Sequence, residues 1–113
     1  MVAVNSNEAY RSDKGESLRE MKHYAISNKY SFNYVLDKNN ELADAYGATR
    51  TPHVFLFDKD LILVYKGAID SDAKYRIQNV KTHFLQNAIN NLISGEKIEP
   101  NATKAIGCSI KRI

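Results

Sequence analysis

The side chains that could do chemistry in this 113-residue chain are few and widely spaced. The chain has one cysteine, Cys108, and three histidines, His23, His53 and His83. A single thiol forms no intrachain disulfide, and one cysteine with three scattered histidines lacks the spacing of a zinc site. We therefore expect no metal site and no cofactor. Any thiol chemistry would have to come from Cys108.

Cys108 is the candidate redox thiol because basic residues stand on both sides of it. Lys104 precedes it, and Lys111 and Arg112 follow it. Nearby cations favour the thiolate, which is the reactive form of cysteine. The alternative is a structural or incidental cysteine in a tail, and the residue types alone favour that alternative.

Hydrophobic periodicity predicts an α/β order of elements, in which helices cover a mixed sheet. Strands are predicted at residues 2–4, 32–36, 53–57 and 61–66, and helices at residues 16–29, 41–46 and 77–94. The last two strands flank Asp58-Lys59-Asp60 and should form an antiparallel hairpin. Residues 37–40 should form a turn that caps the second helix. Residues 96–113 form a tail without a clear period, in which Ile106 and Ile110 could dock.

The most informative segment of the sequence contains Thr51-Pro52, which immediately precedes the strand predicted at residues 53–57. Proline donates no ladder hydrogen bond, so its place immediately before a buried strand is unusual. A cis Thr51–Pro52 bond would serve a tight turn there. The alternative is an ordinary trans proline at a strand edge, which the local sequence by itself favours.

Several short strings of the sequence are jointly specific. They are Val4-Asn5-Ser6-Asn7, Tyr34-Val35-Leu36-Asp37, Gly47-Ala48-Thr49, Thr51-Pro52-His53, Phe55-Leu56-Phe57-Asp58, Val64-Tyr65-Lys66-Gly67-Ala68-Ile69-Asp70 and Gly107-Cys108-Ser109-Ile110-Lys111. Together they resemble redoxins of the alkyl hydroperoxide reductase and thiol-specific antioxidant type, within the thioredoxin superfamily. The resemblance implies one partial thioredoxin-like domain over residues 1–113. It also implies that Thr51 and Pro52 form the cis-proline loop beside an active-site dithiol, where the Thr51 backbone holds an extended substrate strand.

The catalytic element of those redoxins is not in this sequence. It is a strand leading into Trp-Cys-x-x-Cys at a helix N-terminus, and this chain has no tryptophan and no Cys-x-x-Cys. Thiol–disulfide exchange needs an attacking thiolate and a resolving partner. The resemblance therefore predicts the C-terminal part of a thiol–disulfide oxidoreductase or peroxiredoxin-like antioxidant enzyme, missing the N-terminal strand and active-site helix. We expect this part to be inactive alone, whereas the intact parent would act on thiol or disulfide proteins.

The missing strand should lie between the strands at residues 2–4 and 53–57. We expect these two strands either to pair directly or to borrow a strand from a second copy, which gives a homodimer by strand exchange. A different interpretation is a non-catalytic thioredoxin-fold module for binding or dimerisation. A third and more distant one is a one-cysteine peroxidase that uses Cys108.

Composition excludes other classes of partner. The net charge is only +3, the sixteen Lys and Arg are spread along the chain, and no nucleic-acid reading module is present. No apolar run approaches the roughly 20 residues of a membrane helix. The N-terminus lacks the charged and apolar regions of a signal peptide. We therefore expect a cytoplasmic protein that binds neither nucleic acid nor membrane.

Overall fold

The computed structural model describes residues 1–12, 15–72 and 80–112. The chain divides into two compact units, the first comprising Met1–Ala48 and Ile110–Ile113 and the second Thr49–Ser109. Both units contain strands and helices, which confirms the mixed α/β class. Among the described residues, no helix combines the length and the apolar character needed to cross a lipid bilayer.

The first unit is built on two parallel strands, β1 (Val2–Asn5) and β2 (Asn33–Leu36), joined through helix α1 (Leu18–Ser27). A capping box starts α1, because the Ser17 hydroxyl accepts the Glu20 N–H and the Glu20 carboxylate accepts the Ser17 N–H. The predicted helix at residues 16–29 was therefore too long at both ends. Helix α2 (Glu41–Tyr46) has the predicted bounds and ends at Gly47 in the left-handed conformation.

One face of the β1–β2 ladder is exposed. Val4 stands opposite Val35 in the register, and Val2 shares their face because side chains alternate along a strand. The exposed fractions of Val2, Val4 and Val35 are 58%, 38% and 40%. This sheet of the first unit thus has a solvent-exposed apolar face made of three valine side chains. Met21 of α1, by contrast, is buried.

The second unit contains the predicted hairpin. Strands β4 (Val54–Phe57) and β5 (Leu63–Gly67) pair antiparallel, and Tyr65 of β5 is fully buried. Strand β3 (Arg50–Thr51) precedes the hairpin, and helix α3 (Phe84–Ser94) follows it. The tail then contributes Ala102, which bridges to Lys66 of β5, and strand β6 (Cys108–Ser109), which pairs antiparallel with β3.

Helix α3 begins at Phe84, so the helix predicted at residues 77–94 was too long at its start. Residues 77–79 lie outside the described residues, and residues 80–83 are not helical. The reason is a competing set of hydrogen bonds, because the Ser71 hydroxyl accepts the N–H groups of Lys81 and Thr82 at 2.8 and 3.0 Å. Residues 81–82 therefore pair back onto the chain before them instead of starting a helical turn.

The expected direct pairing of the strands at residues 2–4 and 53–57 is not found in the described part of the chain. The ladders there are three two-stranded sheets, β1–β2, β3–β6 and β4–β5. A short turn joins β4 to β5, and closing a short loop costs little entropy, so β4 takes its neighbour in sequence as partner. Strand exchange with a second copy stays a prediction.

The turn of the hairpin holds a leucine where glycine would fit better. Leu61 has φ +62° and is 82% exposed. The Asp58 side chain imposes this shape, because its Oδ1 accepts the N–H groups of Asp60 and Ile62. A left-handed conformation costs a non-glycine residue about 1–2 kcal/mol, and the entropy of glycine costs about 0.5–1 kcal/mol.

We therefore expect Leu61→Gly to raise the free energy of unfolding by about 0.5–1 kcal/mol, measured by urea denaturation. Leu63→Gly is the matched control, because Leu63 is also exposed and lies in strand β5 without a positive φ. That control should destabilise the chain by about 0.5–1 kcal/mol. A loss of stability in Leu61→Gly would contradict the assignment of strain to Leu61.

Candidate functional site

The Thr51-Pro52 loop joins β3 to β4 and is partly exposed. The Thr51–Pro52 peptide bond is cis, as the resemblance to redoxins implied, and not trans as the local sequence by itself favoured. The Glu99–Pro100 bond is also cis, which the sequence analysis did not predict.

Strand β6 brings the candidate thiol to this loop. In the antiparallel register Thr51 stands opposite Cys108, and Arg50 stands opposite Ser109. The Thr51 hydroxyl also donates a hydrogen bond to the Cys108 carbonyl oxygen, with 3.4 Å between the two oxygens. Cys108 is exposed. The three site residues that the sequence identified separately, Thr51, Pro52 and Cys108, are therefore neighbours in the structure.

Gly107 allows this close approach. Its φ is +149°, and a Cβ atom built on it would lie 2.2 Å from the Thr51 carbonyl oxygen and 3.3 Å from Pro52 Cδ. A side chain there would collide with the backbone of the loop, so the tail can reach β3 only with glycine at this position. Sequence reasoning quoted Gly107 within a string but assigned it no role. A positive φ is not visible in a sequence.

His53 holds the loop from the other side. Its Nδ1 accepts the Thr49 N–H at 3.3 Å, and its ring stacks on Phe55 with the centroids 4.6 Å apart. Burial lowers the pKa of His53, and the charge of Lys66 lowers it further. The neutral imidazole is thus the form that accepts the Thr49 bond. This interaction gives His53 a structural part in the loop.

The other two histidines are outside the Thr51-Pro52 loop. His23 is exposed on α1 of the first unit. His83 precedes α3 and lines an open groove of about 360 Å³ together with Ile69, Leu85, Gln86, Ile89 and Asn90. None of Thr51, Pro52 and Cys108 lines this groove. In the part of the chain that the structure describes, no group of three histidine, cysteine, aspartate or glutamate side chains could hold a metal ion.

The basic residues after Cys108 belong to the first unit and are engaged there. Arg112 forms an ion pair with Asp44 and donates to the Ala48 carbonyl oxygen at 3.3 Å. The Lys111 backbone N–H donates to Asn7 Oδ1, and its carbonyl accepts the Ala9 N–H. Residues 110–112 therefore anchor the end of the tail on the first unit, and the buried Ile110 agrees with the docking expected of it from the sequence.

A buried carboxylate organises the ends of β1 and β2. Asp37 is 5% exposed, and its side chain accepts the Ser6 hydroxyl at 2.7 Å and the N–H groups of Leu42 and Ala43 at 2.8 and 2.9 Å. Burial by itself would raise the pKa of Asp37. These three hydrogen bonds and the charge of Arg11 outweigh it and lower the pKa below its usual value. Both carboxylate oxygens accept hydrogen bonds from the protein, so we assign Asp37 a structural role.

Two solved structures resemble nearly the whole chain. One is a hypothetical protein from Sinorhizobium meliloti 1021, with 31% identity, a TM-score of 0.85 and 99% of this chain covered. The other is an uncharacterized conserved protein from Geobacillus kaustophilus, with 32% identity, a TM-score of 0.79 and 97% covered. The chain spans only 61% and 58% of those two chains. No family model and no curated protein matches the sequence.

Proposed function

We propose that this chain is the substrate-docking part of a thioredoxin-like redoxin domain, and that the intact domain is a thiol–disulfide oxidoreductase. The observation that carries the proposal is the position of Cys108, which stands opposite Thr51 of the Thr51-Pro52 loop on the neighbouring strand. The mixed α/β architecture and the redoxin-like strings of the sequence support the same assignment. The proposed substrate is a protein or peptide that presents a thiol or a disulfide.

Docking would use the backbone of β3. An extended segment adds to a strand edge through main-chain hydrogen bonds, which give affinity without requiring a particular sequence. Thr51 and Pro52 are only partly buried, and Arg50 is exposed. Because β6 pairs with β3 there, an extended substrate would reach this edge by taking the place of β6, next to the segment that carries Cys108.

Cys108 can carry out one half of an exchange reaction. Its thiolate attacks one sulfur of a substrate disulfide, a new S–S bond joins Cys108 to that sulfur, and the other sulfur leaves as a thiolate with the electron pair. Release of the mixed disulfide needs a second thiol, and the 113 residues contain only one cysteine. The chain alone should therefore react once per molecule and not turn over.

The rest of the catalytic site would lie on a segment outside these 113 residues. The two solved neighbours are longer than the matched region by about two fifths of their length. Within the described residues, β1 pairs with β2, and β4 pairs with β5. Each of these ladders has two strands in the part of the chain that the structure describes, and the proposed complete redoxin sheet would add a strand beside them.

Exchange with a docked peptide tests the proposal. The probe is the peptide Val-Thr-Gly-Cys-Thr-Val-Lys as its mixed disulfide with 5-thio-2-nitrobenzoate, whose release is followed by absorbance. We expect one equivalent released per chain. The reference compound is the mixed disulfide of glutathione with 5-thio-2-nitrobenzoate. We expect the ratio of the peptide rate to the glutathione rate to be at least about tenfold higher for Cys108 than for an undocked thiol, because docking raises the effective concentration.

The matched control is Cys108→Ser combined with Ser27→Cys, which moves the single thiol to the exposed end of α1. Dividing by the glutathione rate removes differences in thiol acidity and access between the two sites. An equal ratio for Cys108 and for the cysteine at position 27 would refute docking at Thr51. Repeated turnover with dithiothreitol and insulin would refute the need for a second thiol in the chain.

A second candidate function is a non-catalytic dimerisation module. The exposed face formed by Val2, Val4 and Val35 favours it, because large exposed apolar patches mark interaction surfaces. Its occupant would be a second copy that packs the same face against this one, which gives a homodimer without the need for strand exchange. A dimeric mass by light scattering together with no preference for the peptide disulfide would favour this function over the redoxin proposal.

A further inference from the structure

Strand β6 already occupies a backbone edge of β3. The β3–β6 ladder is two residues long on each strand, and both residues of β6 are exposed. A short, solvent-exposed ladder exchanges its hydrogen bonds with water or with another strand more readily than a long, buried ladder does. The chain itself therefore shows how an extended segment lies on the Thr51 edge.

The contact also shows what such a segment must look like. The residue before the one opposite Thr51 is Gly107, where a Cβ would stand 2.2 Å from the Thr51 carbonyl oxygen, an atom of the backbone that cannot turn away. Any L-amino acid with a side chain would meet the same oxygen and would also be strained at φ +149°. Only glycine satisfies both conditions at this register.

The tail remains attached to the second unit when β6 leaves β3. Thr103 is hydrogen-bonded to the end of β5 and the residue after it. Its N–H donates to the Lys66 carbonyl and its hydroxyl accepts the Ala68 N–H, both at 3.0 Å. Residues 104–107 link this anchor to Cys108. Release of β6 therefore keeps the Cys108 thiol tethered within a few residues of a fixed point, at a high effective concentration.

We propose that β6 is an exchangeable occupant of the Thr51 edge, and that substrate segments replace it. Such a segment is extended, runs antiparallel to β3 and carries glycine immediately before the residue opposite Thr51. The chemical class is thus a protein segment containing Gly-Cys, which the string Gly107-Cys108 imitates within the chain. This inference rests on the proposed function, because the same edge docks the substrate in both.

Peptide binding to the full chain tests the inference without any redox step. The probe is a fluorescein-labelled peptide with the sequence of residues 103–109 and serine in place of the cysteine, measured by fluorescence anisotropy. We expect Gly107→Ala to bind it at least about tenfold tighter than the unsubstituted chain, because β6 no longer competes for the edge. Gly47→Ala is the matched control, since Gly47 also has a positive φ but nothing lies within 4 Å of its Cβ position.

A second measurement uses the unsubstituted chain and does not depend on how well a variant folds. The same peptide with alanine at the glycine position should bind at least about tenfold more weakly, because its Cβ meets the Thr51 carbonyl. Equal binding of the two peptides, or equal affinity in Gly107→Ala and Gly47→Ala, would overturn the inference. If the peptide binds tightly only when it carries glycine, and Cys108 shows no preferred exchange with the peptide disulfide, the inference stands and the redox role of Cys108 is refuted. If Cys108 exchanges preferentially with the peptide disulfide but the two peptides bind equally, the inference is refuted and the redox role stands.

Discussion

Tyr65→Ala is expected to lower the free energy of unfolding by about 4 kcal/mol. Tyr65 is 1% exposed and lies in the centre of β5. Its hydroxyl donates to the Ala68 carbonyl at 2.6 Å and therefore accepts the proton of the Thr103 hydroxyl, 2.7 Å away. Alanine removes the ring from the core and leaves both partners without Tyr65.

The two contributions of Tyr65 can be separated by urea denaturation. Tyr65→Phe keeps the ring and should lose only about 1–2 kcal/mol, the value of a buried hydroxyl with two partners. Tyr24→Ala is the control for loss of a ring at the surface, because Tyr24 is 55% exposed, and it should lose less than about 1 kcal/mol. If Tyr65→Ala behaved like Tyr24→Ala, β5 would not be the centre of the second unit.

Asp37→Ala is expected to lower the free energy of unfolding by about 3 kcal/mol. The change removes a buried acceptor and leaves the Ser6 hydroxyl and the N–H groups of Leu42 and Ala43 without it. Hydrogen bonds to a charged group are worth about 1.5–3 kcal/mol each, and buried donors that lose their acceptor are costly. Asp44→Ala is the matched control, because the Asp44 side chain is 63% exposed and its ion pair with Arg112 should contribute less than about 1 kcal/mol.

The pH dependence of stability gives a second readout of Asp37. Its pKa is lower in the folded chain than in the unfolded chain, where aspartate titrates near about 3.9. Folded chains therefore bind this proton less readily, so the stabilisation is complete above about pH 4 and is lost as the pH falls through the folded pKa. Asp37→Asn should flatten this acid limb in urea titrations at pH 2–7. An unchanged acid limb would show that Asp37 does not titrate with a lowered pKa.

The sequence by itself determined the elements whose cause is local. Helix α2 has the predicted bounds because Gly47 ends it with a left-handed residue. The β4–β5 hairpin follows from two apolar runs around Asp58-Lys59-Asp60. The cis bond at Pro52 was expected only from the resemblance to redoxins, because the local sequence by itself favoured a trans bond. These features depend on residues a few positions apart.

The tertiary structure alone decided the composition of the candidate site. Thr51 and Cys108 are 57 residues apart, and no local pattern places one opposite the other. The same holds for Asp37 and Ser6, which are 31 residues apart. Such pairs form when packing and backbone hydrogen bonds across the fold repay the entropy of closing long loops. Propensity and periodicity describe neighbours along the chain. Residue type identified Cys108 as a candidate and the resemblance to redoxins identified Thr51, but neither identified the two as partners.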